Sequence, residues 1–121
     1  MSRDTPIRRG LVVLVELDPA VGAEQGKTRP AVVVSNDGAN SAASRHSYGV
    51  ITVVPLTGNT ASVRPFQALI PAAESGLDRD SKAQAEQVRS ISVSRVARRY
   101  SVLPRKRMAS VDEALRVHLS L

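Results

Sequence analysis

Cysteine and tryptophan are absent from this 121-residue chain, and two tyrosines and one phenylalanine are its only aromatic residues. Without cysteine there can be no disulfide framework, thiol nucleophile, iron–sulfur cluster or cysteine-based zinc site. So few rings exclude nucleic-acid recognition by serial base stacking, so a polyanion would have to be gripped by charge and hydrogen bonds. Histidine is scarce as well. His46 and His118 would have to converge with carboxylates to hold a metal, so the expectation is a mechanism without metal or cofactor. No apolar run approaches the roughly 20 residues of a bilayer span. Near the N-terminus, Leu11 to Val15 is followed at once by Glu16 and Asp18, which is too short for a signal-peptide core, and a cytoplasmic location is expected. What the chain does have is positive charge: 17 Lys and Arg against 11 Asp and Glu give +6, an excess that suits a polyanionic partner. Its length fits one domain spanning residues 1–121.

Short Val-rich runs bounded by Gly, Pro, Asn and Asp predict strands over Leu11–Leu17, Ala31–Ser35 and Tyr48–Leu56. Phe66–Ile70 predicts a fourth strand, Lys82–Ile91 a fifth with a bulge, and Tyr100–Leu103 a short sixth. Asp37–Ser47 reads as a loop of small, turn-forming residues. Strands this close together, with no helices interleaved, imply a small, strongly bent antiparallel sheet or barrel. After Pro104 the period changes. Met108, Val111, Leu115 and Leu119 recur at intervals of three and four and predict a C-terminal helix with one apolar face. Arg98, Arg99, Arg105, Lys106 and Arg107 make the approach to that helix strongly basic, either as a solvated charge run or as a patch that attracts phosphates.

One apparent motif misleads. Gly22 to Thr28 resembles a phosphate-binding loop, but only three residues separate Gly22 from Gly26, and Thr28 leads into Arg29, Pro30 and a β-branched run instead of a helix. What remains is a polar, glycine-relaxed loop carrying Glu24, Gln25, Lys27 and Arg29. A second polar cluster, Thr57-Gly58-Asn59-Thr60, reads by itself as a capped turn, and Glu86-Gln87-Val88-Arg89 as the face of a strand. His46, in its loop, reads as solvent-facing, and His118 as a cation at a helix C-terminus. Neither has a nucleophile beside it in sequence.

Arg9-Gly10, Asp18-Pro19, Val21-Gly22, the run EQGKTRPAVVVSND from Glu24 to Asp37, VVPLT ending at Thr57, RPF at Arg64–Phe66, DSKA from Asp80, EQVRSI from Glu86 and VDEALRVHL from Val111 resemble, in order over nearly the whole chain, the MazF/PemK family of toxin endoribonucleases. The resemblance implies a mainly β fold, a small SH3-like antiparallel β-barrel with a C-terminal helix. It also implies a homodimer whose interface groove takes single-stranded RNA, and a cognate antitoxin of the MazE type that blocks this groove. The implied reaction is sequence-specific, metal-independent cleavage of mRNA: the 2′-hydroxyl attacks, leaving a 2′,3′-cyclic phosphate and a 5′-hydroxyl and inhibiting growth.

The implied catalytic residues are Arg29, Thr57 and Glu24. Arg29 suits the stabilisation of charge on a five-coordinate phosphorus, because guanidinium offers a planar fork and stays charged, whereas its pKa above about 12 makes it a poor proton donor. Thr57 can bond a phosphate oxygen or orient the 2′-hydroxyl, and Glu24 can act as base or as the group that orients Arg29. The implied substrate contacts are Gln25, Lys27, Arg64, Phe66, Ser81, Glu86 and Gln87. Leu11 and Leu14 depart from the acidic and aromatic residues common at their places in the family, so the base preference does not transfer. The alternatives are a non-hydrolytic toxin of the same fold acting on a protein such as a topoisomerase, and a basic RNA-binding module.

Overall fold

A computed structural model describes residues 5–17, 21–24, 27–46 and 48–121. The strands are β1 Leu11–Glu16, β2 Thr28–Val33, β3 Val50–Thr57, β4 Gln67–Ile70, β5 Ser81–Gln84, β6 Arg89–Ser92 and β7 Val96–Val102. They form one antiparallel sheet in the order β4-β5-β3-β2-β1-β7, with β6 paired to the outer half of β3. The long strand β3 therefore serves two partners on one side, pairing β6 through Val50–Val53 and β5 through Leu56 and Thr57. The sheet is strongly bent but β4 and β7 do not meet, so the expected barrel is an open one.

Both faces of the sheet are covered, which explains why β1 and β3 are apolar at nearly every position instead of at every second one. Leu11, Val13, Val15, Val33, Ile51 and Val53 pack on one side with Ala43. Val12, Val32, Val54, Leu56 and Ile70 pack on the other beneath Met108, Val111 and Ala114 of the C-terminal helix, α3 Arg105–Leu119. That helix begins after Pro104 as expected. Met108 and Val111 are buried as expected and Ala114 joins them, while Leu119, expected on the same apolar face, is 50% exposed in the last turn.

Three expectations are corrected. The expected loop over Asp37–Ser47 is a helix, α1 Asp37–His46, with Ser47 outside the described residues. Of the polar residues at its start, Asn36 caps the helix, while Asp37 and Asn40 tie it to neighbouring segments. Asn36 Oδ1 accepts the Ala39 amide at 2.8 Å, Asp37 accepts the Arg9 amide at 2.7 Å, and the buried Asn40 side chain bonds Ser35. Gly49 then passes so close that a Cβ there would lie 2.5 Å from Ala43 Cα. Second, the expected bulged strand over Lys82–Ile91 is two strands broken by a 3₁₀ turn at Ala85–Gln87, which lets β3 change partners. Third, a four-residue helix unforeseen in the sequence, α2 Ala72–Ser75, ends on Gly76 at φ 82, where a Cβ would lie 2.8 Å from Ser101 Oγ.

Candidate functional site

Strand β2 begins at Thr28, so Arg29 is a strand residue and not part of the preceding loop. The β2–β3 ladder runs from Val33↔Val53 to Ala31↔Pro55, and there β3 turns to β5. Pro30, whose nitrogen faces β3 on the next rung, has no amide hydrogen to carry the ladder further. Continued for two more residues, the same register would set Arg29 opposite Thr57, so both stand where the sheet forks. The fork opens a cleft of about 340 Å³ lined by Arg29, Pro30, Gly58, Leu77, Asp78, Arg79 and Ser81. Thr57 precedes Gly58 at its rim and its Oγ1 accepts the Asn59 amide at 3.3 Å, the capping role expected of that turn. Its own hydroxyl hydrogen is still able to donate.

A second group of expected residues lies on the 3₁₀ turn and the two loops bound to it. Gln87 Nε2 donates to Ala23 O at 3.2 Å, docking the β1–β2 loop, with Glu24 next in the chain. Glu86 Oε2 accepts from Gln67 Nε2 at 2.7 Å, while Gln67 Oε1 accepts the Arg64 amide at 3.0 Å. The Ala85 amide donates to Phe66 O at 3.2 Å, so Arg64 and Phe66 are held against the same turn. Lys82 Nζ reaches Ser62 O at 2.6 Å and fastens the rest of the β3–β4 connection. Glu86 Oε1 and Arg89 Nη1 are buried without a hydrogen-bond partner among the described residues, a cost of about 1–3 kcal/mol each that a polar ligand or water would relieve.

The fold therefore brings Arg29, Ser81 and the Thr57 turn to one cleft, and Glu86, Gln87, Arg64 and Phe66 to one hydrogen-bonded cluster. It does not join Glu24 to Arg29. Glu24 is exposed, and no hydrogen bond or ion pair of its side chain is found among the described residues. Lys27 takes a left-handed φ of 59° and its carbonyl accepts the Leu17 amide at 2.8 Å, closing the base of the loop. Gln25 lies outside the described residues. His46 ends α1 with its ring 5.9 Å from that of Tyr48, and His118 is exposed near the end of α3.

Two residues of the site are not singled out by the sequence. Gln67 carries Glu86 across 19 positions of sequence. Arg79 enters the cleft beside Arg29, with Gly58 so near that a Cβ would lie 3.2 Å from Arg79 Cδ. The only available signal for Arg79 was an arginine set between Asp78 and Asp80 beside the DSKA motif.

The basic approach to α3 proves to be partly structural. Arg107 Nε bonds Glu74 Oε1 at 2.6 Å, and Arg99 bonds the Thr5 carbonyl. Chiefly through the Arg107 hydrogen bond, the Glu74 carboxyl is held below its ordinary pKa. A carboxyl depressed by folding contributes stability above its unfolded pKa and loses that contribution as pH falls through the folded one. Glu74→Gln is therefore expected to lower Tm at pH 7 by a few degrees at most, and the gap from wild type is expected to close below about pH 4. Thermal melts across that range test it, and a gap constant with pH would contradict it.

An open antiparallel sheet with a C-terminal helix over one face is the fold this chain shares with solved MazF toxin structures. Residues 8–119 match the family of PemK-like, MazF-like toxins of type II toxin-antitoxin systems, and the chain belongs to that family. It is 53% identical over 115 residues to the endoribonuclease MazF9 of Mycobacterium tuberculosis, covering 95% of this chain and 98% of that one. The crystal structure of MazF from Deinococcus radiodurans superposes with a TM-score of 0.78 at 27% identity, covering 98% of this chain and 100% of that one. A MazE–MazF crystal structure from the same organism gives 0.65 at 25% identity, again covering 98% and 100%. No helix among the described residues is long and apolar enough to cross a membrane.

Proposed function

We propose that this chain is the toxin of a type II toxin-antitoxin pair, a single-domain endoribonuclease that cuts single-stranded RNA in the cytoplasm and works as a homodimer held in check by a MazE-like antitoxin. The observation that carries the reading is the placement of Arg29, Arg79 and Ser81 around one cleft at the fork of β2 and β3, with Thr57 at its rim.

The chemistry follows from what these groups can do. The 2′-oxygen of a ribose attacks the adjacent phosphorus, a P–O2′ bond forms, and the P–O5′ bond breaks. The products are a 2′,3′-cyclic phosphate and a 5′-hydroxyl. Negative charge builds on the non-bridging oxygens during attack. Fixed cations with N–H donors meet that charge best where they are preorganised, and Arg29 and Arg79 are the two guanidinium groups lining the cleft. The Thr57 hydroxyl can donate to one of the same oxygens, or hold the attacking hydroxyl in line. Glu24, carried on the docked loop, is the candidate for taking the 2′ proton, and solvent protonates the departing 5′-oxygen. Glu86, Gln87, Arg64, Phe66, Lys27 and Gln25 supply edge contacts to unstacked bases, with Phe66 the one ring available for stacking.

Incubating the purified protein with a long single-stranded RNA in EDTA is expected to give discrete fragments. RNA left intact, or cleavage that stops on chelation, would contradict the reading.

A further inference from the structure

Within the basic segment leading into α3, Arg98 is the arginine that lines a second cleft, apart from the one at Arg29. Arg107 is held by Glu74 and Arg99 by the Thr5 carbonyl. Arg98 is exposed, has no hydrogen bond or ion pair among the described residues, and lies with its guanidinium carbon 5.1 Å from the centroid of the Tyr100 ring. Its place in the sheet is informative. Leu14 pairs with Pro30 on β2 and with Arg98 on β7, so the three stand in one cross-strand row on one face. Pro30 lines the Arg29 cleft, whereas Arg98, Tyr100 and Ser101 line a second cleft of about 240 Å³. Leu77 and Asp78 are walls of both. Two strand spacings of about 4.8 Å put Arg98 about 10 Å from Pro30, on the order of three stacked nucleotides at about 3.4 Å each.

We propose that this second cleft is a phosphate-binding subsite for the same RNA strand, beyond the scissile position, with Arg98 as its ligand. The proposal rests on the ribonuclease reading above and extends it. Contact with the Tyr100 ring restrains the guanidinium, so less side-chain freedom is lost when its N–H donors meet a phosphate. Asp78 on the shared wall repels phosphate between the two clefts. A strand crossing it sets one phosphate at Arg29 and Arg79 and a later one at Arg98, with a sugar or base edge over Asp78.

The test is binding of a mixed-sequence 2′-O-methyl RNA 12-mer, which has no 2′-hydroxyl to react, across a salt series. Arg98→Ala is expected to weaken binding about three- to tenfold near 0.1 M salt and to reduce the slope of log K against log salt by about 0.7, one phosphate contact on a single strand. Arg98→Lys is expected to keep the slope but bind more weakly than wild type, because the ammonium keeps the charge and loses the stacked fork. Arg116→Ala removes the same charge from the exposed side of α3 and is expected to behave as wild type. Equal losses in Arg98→Ala and Arg116→Ala would reduce the effect to net charge and overturn the subsite. So would wild-type binding by Arg98→Ala, or an Arg98→Ala loss confined to a deca-glutamate peptide, and either result would leave the ribonuclease reading standing. Wild-type protein that neither binds the 12-mer nor cuts unmodified RNA would overturn both.

Discussion

Arg29→Ala is expected to lower the single-turnover rate of RNA cleavage by about 10³-fold while leaving the fold intact. The magnitude is what removal of one preorganised donor from a developing oxyanion costs, at its upper end because the donor is charged. Arg29 lies in β2 beyond the last rung shared with β3 and is only partly buried, so its loss opens no cavity in either core. Arg29→Lys keeps the charge and loses the planar fork, and an intermediate rate is expected. Rates measured at saturating RNA, with circular dichroism and melting curves as controls, decide the matter. A rate within a few-fold of wild type in a folded Arg29→Ala protein would remove Arg29 from the chemistry.

The largest expected effect on stability is at Leu56. Its side chain is fully buried at the position where β3 exchanges β6 for β5, packed among Val54, Ile70, Ala83 and the α3 residues. Leu56→Ala removes that packing and leaves a cavity, a loss of about 2–5 kcal/mol. For a domain of this size that corresponds to a fall in Tm on the order of 10–20 °C. Thr57 is the next residue, so the folded fraction at assay temperature is also expected to cut RNA more slowly than its concentration alone accounts for. Urea unfolding reports the stability loss, and a midpoint within experimental error of wild type would contradict this packing.

Much of the architecture was legible because it depends on local pattern. Val-rich runs beginning at Leu11, Ala31 and Tyr48 announce strands, and the change of period after Pro104 announces α3. The misread segments are those where one residue type serves two local structures. Asn36, Asp37 and Asn40 favour a turn and a helix cap equally, and only packing of Ala43 on the sheet selects the helix. The break at Ala85–Gln87 is set by β3 exchanging partners, which no local pattern encodes. The candidate site was named mainly through the family resemblance, which picks out Arg29, Thr57, Ser81, Glu86 and Gln87, and the fold then sets Arg29 and Ser81 around one cleft. Residues that matter through distant neighbours, Gln67 beneath Glu86 and Arg79 beside Gly58, have no local signature. The basic run before α3 needed the fold to separate Arg107 and Arg99, which hold structure together, from Arg98, which does not.

In the proposed mechanism this cleft promotes attack by the ribose 2′-hydroxyl on its own phosphodiester. The most direct measurement uses an RNA oligonucleotide carrying one mapped cleavage position, compared with the same oligonucleotide bearing 2′-deoxyribose on the 5′ side of the scissile phosphate. The all-ribose strand is expected to yield a 2′,3′-cyclic phosphate and a 5′-hydroxyl, and the substituted strand to bind but stay whole. Cleavage of the substituted strand at a comparable rate would contradict the mechanism.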